Sequence, residues 1–137
     1  MRAWLFTLGL TAIALVPSAR ADDCDKAPDQ TSMNACMGKT YAQADDELNL
    51  LYQQIIGRLK GDTDSAETRT ALVAAQRAWI AFRDAECAFV GTRTTGGTIN
   101  PTIIASCRTD ITNKRIGDFK AYLKCEEGDL SCPVPPK

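Results

Sequence analysis

Apolar residues recur along this chain with the spacing of helices, and the pattern predicts three helices and no strands. The first runs from about Ser32 to Lys60, with Thr31 or Ser32 as N-cap and Gly61 at its end. Its stripe holds Met37, Tyr41, Leu48, Tyr52, Ile55, Ile56 and Leu59, the spacing of one buried helical face. The second begins at Asp64-Ser65-Ala66-Glu67, an acidic variant of the capping box, and continues to about Phe89. Asn100-Pro101 opens the third, a capping side chain followed by Pro at the first helical position. Ile104, Cys107, Ile111, Phe119 and Tyr122 form its inner face, which ends near Lys124. Short connections make successive helices antiparallel neighbours, so the expected fold is all-α, a small antiparallel three-helix bundle stapled by disulfides.

The second helix carries polar residues where apolar ones belong. At about 100° per residue, Leu72, Trp79, Ile80 and Cys87 share their stripe with Gln76 and Arg83. An amide and a guanidinium aimed at a core are costly unless paired. With the first turn centred near residues 63 and 64, facing positions on the first two helices have numbers summing to about 127. Leu48 then meets Trp79 and Ile56 meets Leu72. Asp45 faces Arg83, Asn49 faces Gln76, and Arg115 of the third helix folds back to the level of Gln76. The expectation is one interior network of Asp45, Asn49, Gln76, Arg83 and Arg115, to which Tyr41 or Tyr52 adds a hydroxyl. It reads either as a structural network fixing register around a charge-assisted Asp45–Arg83 pair, or as a polar pocket for an anionic or sugar ligand.

Between the second and third helices, Val90 to Ile99 contains three glycines and four threonines. That composition marks a loop, expected to be the most mobile surface of the domain. The tail, Cys125 to Lys137 with Pro133, Pro135 and Pro136, reads as irregular and frayed beyond Cys132.

At 137 residues the chain is one domain. Arg2 supplies a basic n-region, Trp4 to Val16 an apolar run, and Ala19-Arg20-Ala21 a small-x-small cleavage pattern. Residues 1–21 therefore read as a signal peptide, leaving a helical domain over 22–124 and the tail over 125–137. The apolar run is too short for a membrane anchor, which needs about 20 residues. Asp22 and Asp23 before Cys24 do not suit lipid attachment. The expected product is soluble, in the periplasm or secreted. Without Arg2 and Arg20 it carries 14 basic and 17 acidic residues, a net charge of −3. That balance argues against nucleic acid or an anionic membrane as partner and is compatible with a basic protein.

Six cysteines follow the signal segment, an even number that in a short exported chain points to disulfides. The bundle topology places Cys24 near Cys36, Cys87 and Cys107 on either side of the loop, and Cys125 near Cys132. The pairing 24–36, 87–107 and 125–132 follows, with 24–87 and 36–107 as the alternative for the first four. There is no C-x-x-C spacing and no histidine, so neither a metal site, a cofactor nor a nucleophile–histidine dyad is expected. Asp45-Asp46-Glu47 cannot converge as a carboxylate pair, because consecutive helical residues point to different sides. Asp45 opposite an arginine stays ionised and makes a poor general acid. Binding rather than catalysis is the expected role.

Cys24, Cys36, Ala44-Asp45-Asp46-Glu47-Leu48-Asn49, Tyr52, Ala75-Gln76-Arg77-Ala78-Trp79, Arg83-Asp84, Cys87, Gly96-Gly97, Cys107 and Arg115 stand in the order of one known family. Cys24 through Tyr122 resembles the LprI-like family, the lysozyme-inhibitor LprI N-terminal domain. The resemblance implies a small secreted helical domain of the bacterial envelope. The family takes its name from a lipoprotein that inhibits lysozyme, whereas this chain lacks a lipidation signal and would act unanchored. It also implies a lysozyme or other peptidoglycan hydrolase as partner, with the loop inserted between the carboxylates of its cleft. Arg93, with Thr92, Thr94 and Thr95, is then the candidate contact, on a loop tethered by Cys87 and Cys107. The alternative is a non-catalytic periplasmic binding or scaffold module, using the polar cluster or the small outer face Ala74, Ala78, Ala81 and Ala85.

Overall fold

The computed structural model describes residues 21–61 and 65–136, which form helices and turns and no strand. The expected signal peptide falls outside the described residues save for Ala21. A short 3-10 helix at Ala21–Lys26 precedes α1 (Gln30–Gly61), α2 (Ala66–Val90) and α3 (Asn100–Tyr122). None of these helices is long and apolar enough to cross a membrane.

Asp29, rather than Thr31 or Ser32, caps α1. Its Oδ1 accepts the Ser32 backbone N–H at 2.7 Å, satisfying one of the orphan donors of the first turn. The Ser32 backbone and side chain together hold the Asp29 carboxyl below its ordinary range. At the start of α2, Ser65 supplies no side-chain cap, and Asp64 lies outside the described residues.

The most extensive interface joins α1 and α3, which run parallel while α2 returns between their ends. Near their starts, Gln30 Nε2 donates to Thr102 Oγ1 at 3.1 Å and Thr102 Oγ1 donates to Asn34 Oδ1 at 2.6 Å. Near their ends, Arg58 Nη1 donates to the Leu123 carbonyl at 3.0 Å. Small residues fill the centre of this interface: Thr40 and Ala44 on α1, and Ala105, Thr109 and Thr112 on α3. The expected inner face of α3 is therefore rotated. Phe119 keeps its place in the core, but Ile104, Cys107 and Ile111 lie half-buried on the flank. Thr40 and Thr109 pass as apolar because each donates its hydroxyl to a carbonyl one turn back, of Cys36 at 3.1 Å and of Ala105 at 2.8 Å.

The main core gathers Ala44, Leu48, Ile55, Leu59, Ile116 and Phe119, with Leu72 and Trp79 of α2 packed against it. Val134 of the tail is also buried there, only 3 % exposed. The tail is thus not frayed beyond Cys132. Gly128, at φ 89°, turns the chain, and Asp129 Oδ1 accepts the Ser131 N–H at 2.9 Å. Val134 then closes the end of the bundle.

The cysteines pair as 24–36, 87–107 and 125–132, with Cα separations of 5.6, 5.6 and 5.7 Å. The first locks the N-terminal 3-10 helix onto α1, the second joins the end of α2 to α3, and the third closes the turn of the tail.

Candidate functional site

The polar residues of the α2 stripe enter a ladder of stacked cations and rings. Arg83 is buried, with its side chain 7 % exposed. Its Nη1 donates to Asp45 Oδ1 at 2.9 Å and its Nε to Asp84 Oδ1 at 3.1 Å. Its guanidinium carbon lies 5.4 Å from the Tyr41 ring centre and 5.2 Å from that of Trp79. Arg108 also lies 5.8 Å from the Tyr41 ring centre, and Arg115 lies 6.0 Å from that of Trp79. Arg115 in turn lies 4.6 Å from the Phe119 ring. The order Arg108–Tyr41–Arg83–Trp79–Arg115–Phe119 runs through all three helices, alternating charge with the negative faces of rings.

Burial opposes the Arg83 charge, but the Asp84 hydrogen bond, the Tyr41 oxygen and Asp45 outweigh it and hold the proton more tightly than usual. Burial pushes the Tyr41 phenol up against the pull of Arg83, which keeps it neutral. Arg108 Nε lies 3.3 Å from Asp84 Oδ1, an ionic contact without hydrogen-bond alignment. The cluster holds charge and orients rings.

Of the five residues expected in one network, the structure brings Asp45 to Arg83 and Gln76 to Arg115, whose Nε donates to Gln76 Oε1 at 3.3 Å. Asn49 does not face Gln76. It is exposed and donates to Asp45 Oδ2 at 3.3 Å, because it follows Leu48 by one residue and so points about 100° away from the buried line. Tyr52 contributes its ring, 6.3 Å from Phe119. Arg108 and the role of Asp84 were missed. Arg108 and Arg115 are seven apart on α3, a spacing that puts them on one face and was available as a signal.

The loop between α2 and α3 is closely hydrogen-bonded. Gly91 is buried, and its carbonyl accepts from Thr94 N at 3.1 Å, Thr94 Oγ1 at 3.0 Å and Asn100 Nδ2 at 2.8 Å. A Cβ at Gly91 would stand 3.0 Å from Ile104 Cγ1. Thr92 Oγ1 donates to the Phe89 carbonyl at 2.8 Å and Thr95 Oγ1 to the Thr92 carbonyl at 2.9 Å. Gly96 turns the chain at φ 79°, and Asn34 Nδ2 of α1 donates to the Thr98 carbonyl at 2.9 Å.

Asn100, expected to cap α3, instead turns its amide back into the loop, where the carbonyls at the end of α2 need donors. The expectation of a mobile loop gives way to a 3-10 turn at Thr92–Thr94 fixed at both ends. Thr92, Thr94 and Thr95 donate their hydroxyl protons within the loop and offer a partner only their acceptor lone pairs. Arg93 is exposed at the turn, with no ion pair among the described residues. Val90 and Ile99, also exposed, flank it in sequence at the two ends of the loop. A separate groove of about 470 Å³ between α1 and α2 is lined by Tyr52, Lys60, Arg69 and Ala74 among others, and by none of Asp45, Asn49, Gln76, Arg83, Arg115 or the loop residues.

The family model described as lysozyme inhibitor LprI matches residues 22–119. The uncharacterized protein R02472 of Rhizobium meliloti (strain 1021) is 34% identical over 113 residues, which cover 77% of this chain and 81% of that protein. No solved structure matches the chain.

Proposed function

This chain belongs to the lysozyme inhibitor LprI family, and from that membership we propose that it is an exported protein that binds a peptidoglycan-cleaving enzyme, a lysozyme foremost, and blocks its cleft without catalysis. The observation that carries the reading is the fixed loop holding Arg93 outward. Glycosidase clefts hold two carboxylates, and an arginine on a preorganised turn suits them because little freedom is lost on binding. Asn100, Asn34 and the Cys87–Cys107 bridge supply that preorganisation. Val90 and Ile99, exposed at the two ends of the loop, add apolar contact.

The test is a lysis assay over several lysozyme types with the purified oxidised protein. Inhibition by the parent and a loss of at least tenfold in Arg93→Ala are expected. Because Arg93 forms no ion pair among the described residues, the variant should unfold at the parent's midpoint. Undiminished inhibition by Arg93→Ala removes the loop from the mechanism. No inhibition of any lysozyme by micromolar protein rejects the inhibitor reading and favours a binding or scaffold module.

A further inference from the structure

α2 buries Gln76 and Arg83 beside its inward Leu72 and Trp79, yet leaves two large apolar residues outward. Its buried residues are Gln76, Arg83 and Cys87, while Phe82 is 56% and Phe89 71% exposed. At about 100° per residue, the two phenylalanines share a sector of roughly 140° with exposed alanines from Ala71 to Ala88. No charged residue enters that sector between Ala71 and Phe89. Arg77 and Asp84 lie along one edge, and Glu86 lies beyond the other. A contiguous apolar face of this kind marks a contact surface.

We propose that this face binds a second copy of the chain, α2 against α2 in antiparallel, about a two-fold axis near residue 80. Pairing positions whose numbers sum to about 160 sets Phe82 over Ala78 of the partner subunit and Phe89 over Ala71 of the partner subunit. Each large ring meets a small residue. A parallel pairing would set ring on ring and alanine on alanine, leaving voids that packed interfaces lack.

Charge selects the same arrangement. An antiparallel two-fold keeps the Arg77 edge of both helices on one side, so Arg77 approaches Asp84 of the partner subunit, twice by symmetry. Arg77 forms no ion pair among the described residues. Asp84 meets Arg83 and Arg108 through Oδ1 alone, which leaves Oδ2 for the new contact. From Ala71 to Phe89 the face is about 27 Å long, small for a stable interface, so a dimer in the micromolar range is expected. The proposal does not rest on the loop reading.

Sedimentation equilibrium of the purified oxidised protein from about 1 to 200 µM spans that range. The mass should rise from one chain to two. Phe82→Glu should keep the protein at one chain throughout with its unfolding midpoint unchanged, since the ring is exposed in the single chain. Arg77→Glu should raise the dissociation constant at least tenfold, and added salt should weaken the parent dimer. A single-chain mass at every concentration, or a dimer that survives Phe82→Glu, overturns the proposal. Arg77→Glu without effect overturns the antiparallel register. A monomer that binds phosphatidylcholine vesicles, and loses that binding in Phe82→Glu, assigns the face to a lipid surface instead.

Discussion

Replacing Arg83 by alanine tests the ladder at its centre. The guanidinium makes two charge-assisted hydrogen bonds, to Asp45 at 2.9 Å and Asp84 at 3.1 Å, and stacks between Tyr41 and Trp79. Breaking a wholly buried pair costs about 3–5 kcal/mol. Here the carboxylates are 38% and 41% exposed, so water partly restores them. About 1 kcal/mol remains for each hydrogen bond, and about 0.5 kcal/mol for each ring face. Arg83→Ala should therefore lose about 3 kcal/mol, lowering the unfolding midpoint of a domain this size by roughly 10 °C. Arg83→Lys keeps the charge and the stem but not the planar fork, and should lose about half as much.

The assay is urea unfolding of the oxidised protein, with Arg83→Met as the decisive variant. Methionine fills the space of the stem and removes only the charge and the stacking. It loses the same two hydrogen bonds and two ring contacts and should cost about 3 kcal/mol. A double-mutant cycle with Asp45→Asn should give a coupling of about 1 kcal/mol, reduced by the exposure of Asp45. If Arg83→Met is as stable as the parent, the ladder adds nothing beyond packing, and the account of why α2 buries a guanidinium fails.

Four further outcomes follow from single contacts. Thr112→Val should stabilise the protein by about 1 kcal/mol, because the buried Thr112 hydroxyl has no hydrogen-bond partner; a lower unfolding midpoint would contradict this. Val134→Ala should cost about 2 kcal/mol in denaturant unfolding, although only three residues follow it. Asn100→Ala should speed amide exchange at Thr94 and Gly97 and weaken the proposed inhibition through faster dissociation, since it removes one of the three donors that hold the Gly91 carbonyl. Asp29→Ala should lower the melting temperature above pH 3.8, the ordinary aspartate value. The folded-state value is depressed, so the Asp29 contribution is present above that pH and is lost as pH falls through the folded value; the two melting curves should converge there.

What the sequence revealed and concealed follows from whether a residue's polarity is used locally. Asp45 and Arg83 were legible together because both interrupt apolar stripes and the turn between their helices fixes the register. Thr40 and Thr109 were not, since a hydroxyl bonded one turn back lets threonine act as a small apolar residue, a substitution that hydropathy does not register. Periodicity consequently assigns the inner face of α3 to Ile104 and Ile111, whereas close approach to α1 requires the smaller side chains.

The same local bonding misled the reading of the loop. Glycine and threonine signal mobility only while their polar groups face water; here three hydroxyls and Asn100 satisfy the backbone carbonyls and remove that freedom. In α2 the second apolar face was visible as a run of alanines but was indistinguishable from simple helix propensity. The folded chain separates the two explanations. Propensity accounts for the alanines but not for Phe82 and Phe89 left in water on the same side, over a helix whose inward face already holds Leu72, Gln76, Trp79, Arg83 and Cys87. A helix so arranged has two interfaces to satisfy, and α1 and α3 satisfy only one of them.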